Sequence, residues 1–99
     1  MKNLLTHFNK AFESKVRLGI MSVLMVNDTA DFNYLKELLH LSDGNLASHI
    51  KSLEELNYII IEKQFIGKKP NTTYSASKEG KKAFNMHLKS LEDLLKKQS

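Results

Sequence analysis

A mainly α-helical fold with one small β-hairpin is predicted by three features of residues 33–73. First, Leu35, Leu38 and Leu39 share one face of a short helix, and Leu41-Ser42 makes a tight turn after it. Second, Leu46, Ile50 and Leu53 recur at spacings of four and three, which marks a second amphipathic helix. Third, the period then changes to that of a strand, followed by a Gly67-Lys68-Lys69-Pro70-Asn71 tip and a second strand. Helix, turn, helix, hairpin is the layout of a winged helix-turn-helix.

Each element has its own local reasons. Leu4, Leu5, Phe8, Ala11 and Phe12 form a helical stripe over residues 1–12. So short a helix needs a surface to lie on. Two readings stand side by side: a helix that caps its own core, or half of a dimer interface. A core of residues 14–76 follows. Ser14 is a suitable N-cap for a helix over Lys15 to Val26, with Val16, Ile20, Val23 and Leu24 inward. Met21 and Met25 read as core filler rather than as metal ligands. Gly19 costs that helix about 1 kcal/mol against alanine, so close approach of a neighbouring helix is expected there. Arg17 is expected in a structural salt bridge, with contact to a phosphate as the alternative. Ala30-Asp31-Phe32 reads as one short strand with Phe32 inward, and Asn33 as the cap of the next helix.

Ser42 is expected to cap the second helix of the pair, about residues 43–56, by accepting from the amide of Gly44 or Asn45. Asn57 follows the last helical turn, where a left-handed backbone is needed and asparagine tolerates one. Tyr58 to Phe65 is β-branched and aromatic, hence strand. Gly67 permits the tight tip of a wing over residues 66–72, and Pro70 stiffens the return strand, Thr72 to Ala76. Ser77 starts a last helix over residues 77–97. Along it Phe84, Leu88, Leu91 and Leu95 fall at spacings of four, three and four, a heptad seam. A domain this small cannot easily bury that seam as well, so the terminal helices are expected to form a dimer interface. The residues assigned to it are Leu4, Leu5, Phe8, Phe12, Phe84, Leu88, Leu91 and Leu95. Packing of the seam on its own domain is the alternative.

The stretch Ser48-His49-Ile50-Lys51-Ser52-Leu53-Glu54-Glu55-Leu56-Asn57-Tyr58-Ile59 resembles the recognition-helix segment of small winged-helix regulators of the MarR, ArsR and PadR kind. Gly67 to Gly80, GKKPNTTYSASKEG, resembles their wing and the start of the following helix. Val16-Arg17-Leu18-Gly19-Ile20-Met21 resembles the helix that precedes the pair. The likeness runs from Val16 to Leu95. It implies a transcriptional regulator, usually a dimer. In MarR-like dimers an effector pocket can form between subunits, but nothing in these residues encodes its chemistry. Asn57 stands where relatives often have glycine.

Composition narrows the rest. Ninety-nine residues suit one domain. No run approaches the roughly 18 apolar residues of a membrane helix. The N-terminus lacks a signal-peptide pattern, so a cytoplasmic protein is expected. There are no cysteines, which removes disulfides and cysteine-ligated metals and departs from the metal-sensing ArsR members. The four histidines have no paired-ligand spacing, and no nucleophile elbow is present. His40 reads as a capping or surface residue and His87 as packing. No enzyme, cofactor or metal is expected. The net charge of +4 favours a polyanionic partner, and fourteen of the fifteen basic residues are lysines, which suit phosphates.

The expected function is therefore sequence-specific binding of double-stranded DNA. Ser42, Gly44, Asn45, Ser48, His49 and Ser52 would approach bases or their flanking phosphates from the major groove. Lys51 would hold the backbone, and Lys68 and Lys69 would act from the wing. The rival is a winged-helix protein-interaction module that does not touch DNA, since fold alone does not decide function.

Overall fold

Ser14 accepts a hydrogen bond from the Arg17 amide (3.3 Å) and opens α1, Lys15–Val26, at the predicted bounds. The computed structural model describes residues 5–97. After α1 come β1 (Ala30–Asp31), α2 (Phe32–Leu39), α3 (Asp43–Glu55), β2 (Ile59–Ile66), β3 (Lys69–Ala76) and α4 (Lys78–Lys97). The strands form one antiparallel sheet in the order β1-β3-β2, with Ile59 opposite Ala76 and Ile66 opposite Lys69. This is the winged helix-turn-helix expected. Among the described residues no helix is long and apolar enough to cross a membrane.

The core lies where α1, α2 and α3 meet the base of the hairpin. Ile20, Met21, Leu35, Leu46 and Leu53 are fully buried, and Leu24, Ile50, Ile59, Tyr74 and Phe84 close around them. Gly19 faces α2: a Cβ added there would stand 3.3 Å from Leu39 Cδ2, the close approach its helix cost implied. His40, Asn57 and Gly67 have positive φ of 54°, 62° and 65°. These three sites are the chain reversals after α2, after α3 and at the wing tip. Short polar or Cβ-free residues adopt that conformation at least cost.

Several expectations need correction. The N-terminal segment is not a helix over residues 1–12. Residues 5–9 are turn and loop, and only Lys10–Glu13 winds, as a 3-10 turn. Asn9 is extended and its side chain caps the Ala11 amide, which stops any helix running through it. Leu4 lies outside the described residues. Phe12 is not available to a partner, because it is 3% exposed. Its ring lies 5.8 Å from that of Tyr58, 5.6 Å from Phe84 and 5.4 Å from His87. Phe84 is buried in the same cluster, so it also leaves the expected interface. Phe8 is half-buried edge-on against His87, which makes His87 the packing residue expected.

Asp31, not Asn33, caps α2: its Oδ1 accepts from the Tyr34 amide at 2.8 Å. Pairing of Asp31 with Thr73 holds it extended at the end of β1, and the helix starts at once. Phe32 therefore belongs to α2 rather than to a strand. Leu38 is exposed, while Leu35 is buried and Leu39 half-buried. The wing is also longer than its tip. Only Gly67 and Lys68 lie outside the ladder, so residues 69–72 are already strand, with Pro70 opposite Phe65. The positive φ at Gly67 and its absence at Lys68 match a type II′ hairpin turn.

Candidate nucleic-acid interface

Ser42 sets the start of α3. Its Oγ accepts from the Asn45 amide at 3.2 Å, one of the two donors expected. Lys36 of α2 pairs with Asp43 at 2.9 Å across the turn. Asp43 is 76% exposed, so the pair contributes about 0–1 kcal/mol and serves register more than stability. What seats α3 is burial of Leu46, Ile50 and Leu53. At about 100° per residue, the face opposite that stripe carries Gly44, Ser48, Lys51 and Glu55, with Ser52, Asn45 and Ala47 at its margins. Ser42, Gly44, Asn45, Ser48 and Lys51 are all exposed. The small side chains at Gly44, Ala47 and Ser48 let another surface approach the helix backbone. Ala47 is absent from the residues predicted to reach DNA; helical spacing alone could have found it.

His49 and Ser52 sit differently. Both are half-buried on the flank of α3 that turns toward the 3-10 segment and the start of α1. There a cleft of about 510 Å³ runs between Asn9, Lys10, Ala11, Arg17, Ser52 and Leu56. Ser52 Oγ donates back to the Ser48 carbonyl at 3.3 Å. Among the described residues Arg17 has no carboxylate partner, against the salt bridge expected. Its Nε donates to the Ala11 carbonyl at 2.8 Å, and its Nη1 lies 3.3 Å from His49 Nδ1. The sole arginine thus joins the N-terminal turn, α1 and α3, a role no spacing rule reveals.

Lys68 and Lys69 are exposed at the wing tip, as is Lys63 below it. Phe65 and Ile66 beside them are 74% and 66% exposed. The strand's apolar character continues past the edge of the domain it packs on. Among the described residues no three His, Asp or Glu side chains gather to hold a metal ion.

Burial, and after it the charge of Arg17, holds His49 below the ordinary 6.5. The folded protein therefore favours the neutral ring, while the unfolded chain takes up a proton more readily. The stability tied to this is fully present above about pH 6.5 and is lost as pH falls from there through the folded value. The thermal midpoint of the wild type is expected to drop relative to that of His49→Asn between about pH 7.5 and about pH 5. Parallel pH profiles for the two proteins would show that the ring is not held neutral.

The comparisons with known proteins agree with this geometry. Residues 16–95 match the family model described as a winged helix DNA-binding domain. An uncharacterised protein of Methanocaldococcus jannaschii is 37% identical over 87 residues, covering 88% of this chain and 95% of that one. The transcriptional regulator homologue protein from Pyrococcus horikoshii OT3 superposes with a TM-score of 0.84 at 28% identity, over 97% of this chain and 93% of that chain. Bacillus subtilis PadR, solved in complex with operator DNA, gives a TM-score of 0.67 at 13% identity, over 76% of this chain and 48% of that chain. At that identity the likeness speaks to fold alone.

Proposed function

Because the chain belongs to the winged helix DNA-binding domain family, we propose that it is a cytoplasmic, homodimeric transcriptional regulator that binds double-stranded DNA sequence-specifically. The observation that carries this reading is the α3 surface. Ser42, Gly44, Asn45 and Ser48 form an exposed face of small polar groups, and a lysine-tipped wing stands on the same domain. In this reading Asn45 and Ser48 reach base edges in the major groove, and Lys51 rests on the backbone. His49 and Ser52 lie at the margin of the contact, nearer the phosphates. Lys68 and Lys69 act on the backbone or minor groove from the wing. Phosphate contacts supply most of the affinity and the α3 face the selectivity. The dimer is built on α4, through Leu88, Leu91 and Leu95 with Leu5, the exposed members of the expected interface.

The test is binding to duplex libraries at several salt concentrations. A lysine that neutralises one phosphate steepens the log-affinity against log-salt slope by about 0.9, so Lys68→Ala with Lys69→Ala should flatten it by up to about 1.8. An unchanged slope removes the wing from the interface. Site selection with Asn45→Ala and Ser48→Ala should relax preference at single positions, at about 1–3 kcal/mol each. Weakening spread evenly over all sequences would mean that these residues only position the helix.

The exposed Phe65 and Ile66 favour a second reading, a winged-helix module that docks on a protein through its wing. Failure of the wild type to bind any duplex at low salt would decide for it.

A further inference from the structure

We propose that Arg17 is a positioning residue for α3: it holds the His49 ring in the tautomer protonated on Nε2, so that this nitrogen presents an N–H donor to an acceptor on bound DNA. The DNA half of this inference rests on the function proposed above. The tautomer half does not.

A guanidinium is a donor only, and it does not lose its proton in proteins. The 3.3 Å approach of Arg17 Nη1 to His49 Nδ1 is therefore a hydrogen bond only if Nδ1 offers its lone pair. A neutral ring with a bare Nδ1 carries its proton on Nε2. The arginine is itself aimed. Its Nε donates to the Ala11 carbonyl at 2.8 Å, which fixes the plane of the fork. The Ala11 peptide is held in turn by Asn9, whose Oδ1 accepts the Ala11 amide at 2.9 Å. Lysine could not reproduce this, because one ammonium lacks the rigid fork that spans two acceptors.

The outer nitrogen is open. Among the described residues no buried side-chain nitrogen or oxygen lacks a partner, and Nε2 has no partner there. It must therefore reach solvent, and His49 stands four residues from Asn45 and three from Ser52, on one flank of α3. The acceptors that DNA offers are phosphate oxygens, the N7 and O6 atoms of purines and the O4 atom of thymine. An unfixed histidine would present either a donor or an acceptor. A ring set by Arg17 presents only the donor, and discriminates against the exocyclic amino groups of adenine and cytosine.

The experiment is long-range proton–nitrogen NMR of the nitrogen-15-labelled protein, which reports the tautomer of each histidine without DNA. The wild type should show a bare Nδ1 and a protonated Nε2 on His49 at about pH 7.5, above its ordinary titration range. Arg17→Met, which keeps the bulk and removes the donor, should give a mixture of tautomers, and Arg17→Lys should restore the wild-type spectrum only in part. A wild-type ring protonated on Nδ1, or a spectrum unchanged in Arg17→Met, overturns the assignment.

Duplex binding reads the second half. Arg17→Met and His49→Ala should each weaken binding about tenfold, the size of removing one hydrogen bond from a partner left unpaired. The double variant should be no weaker than His49→Ala, because Arg17 acts through the ring. Additive losses would overturn the coupling and leave Arg17 a plain structural residue. Weakening by His49→Ala at one base position marks a contact to a base acceptor, and uniform weakening a phosphate contact; either supports a donor role. If the wild type binds no duplex, the DNA half falls together with the proposed function, while the spectra still decide the tautomer.

Discussion

Gly80→Ala is expected to destabilise the protein by about 1–3 kcal/mol, although the same change in an open helix gains about 1 kcal/mol. Gly80 lies in the first turn of α4, against the link between α3 and β2. A Cβ built there would stand 2.1 Å from the Tyr58 carbonyl oxygen, 2.9 Å from its carbon and 3.0 Å from Met21 Cε. The methionine can move. The carbonyl cannot, because it accepts the Ser77 amide at 3.0 Å. Ser77 also holds the junction from its side chain: its Oγ donates to the Asn57 carbonyl and accepts the Gly80 amide. Any shift of α4 away from Tyr58 breaks this set of bonds. The steric cost therefore outweighs the gain in helix propensity. Urea denaturation checks it, with Gly44→Ala as the control. Gly44 has nothing within 4 Å of its added Cβ, so alanine there should stabilise by about 0.5–1 kcal/mol. A stable Gly80→Ala would mean that α4 does not rest on the Tyr58 carbonyl.

Replacing both Leu88 and Leu91 by aspartate is expected to leave a folded monomer whose affinity for its operator falls by about two orders of magnitude or more. The two leucines are 40% and 44% exposed in the isolated subunit, and Leu95 is 62% exposed. What α4 turns to its own domain is the first residue of that stripe and the flank beside it. It uses Phe84, His87, which accepts the Asn9 amide at Nδ1 (3.1 Å), and Ser90, which donates to the His7 carbonyl at 3.2 Å. Polar substitution on the exposed face should therefore cost the fold little, within about 0.5 kcal/mol per site. Between two subunits the same change would bury like charges together. Without the second half-site, an avidity gain of about 10²–10⁴ disappears. The intact dimer should favour half-sites about one helical turn, ~34 Å, apart. Light scattering and operator titration read the two effects separately. A wild type that is monomeric at micromolar concentration ends the dimer model. A double variant that remains dimeric moves the interface away from α4.

The parts of the fold legible in the sequence are those decided within a few residues. Ser14 and Ser42 announce α1 and α3 because a cap acts on amides three positions on. Asn57 and Gly67 announce their reversals because a positive φ is a property of one residue. The stripe Leu46, Ile50, Leu53 states which side of α3 is buried, and so by elimination which side is offered outward. Gly19 even announces a helix neighbour, though not which one.

What only the tertiary structure decided is what each face meets. Spacing puts Phe84, Leu88, Leu91 and Leu95 on one stripe, yet Phe84 closes the subunit's own core while the leucines stay outside. Phe12 is drawn to that core because Asn9 breaks the N-terminal helix and turns the ring inward. Asp31 displaces Asn33 as a cap because pairing with Thr73, far along the chain, holds it extended. Arg17 finds a carbonyl and an imidazole rather than a carboxylate, and with them takes His49 out of the row of freely exposed side chains. Gly80 shows no local sign of need at all; its constraint is the carbonyl of Tyr58, on the far side of the whole wing. Local sequence sets periodicity, caps and turn conformations, because these depend on neighbours along the chain. Partner identity depends on packing between segments distant in sequence, and one stripe of leucines is equally consistent with a core, a partner or solvent until those segments are in place.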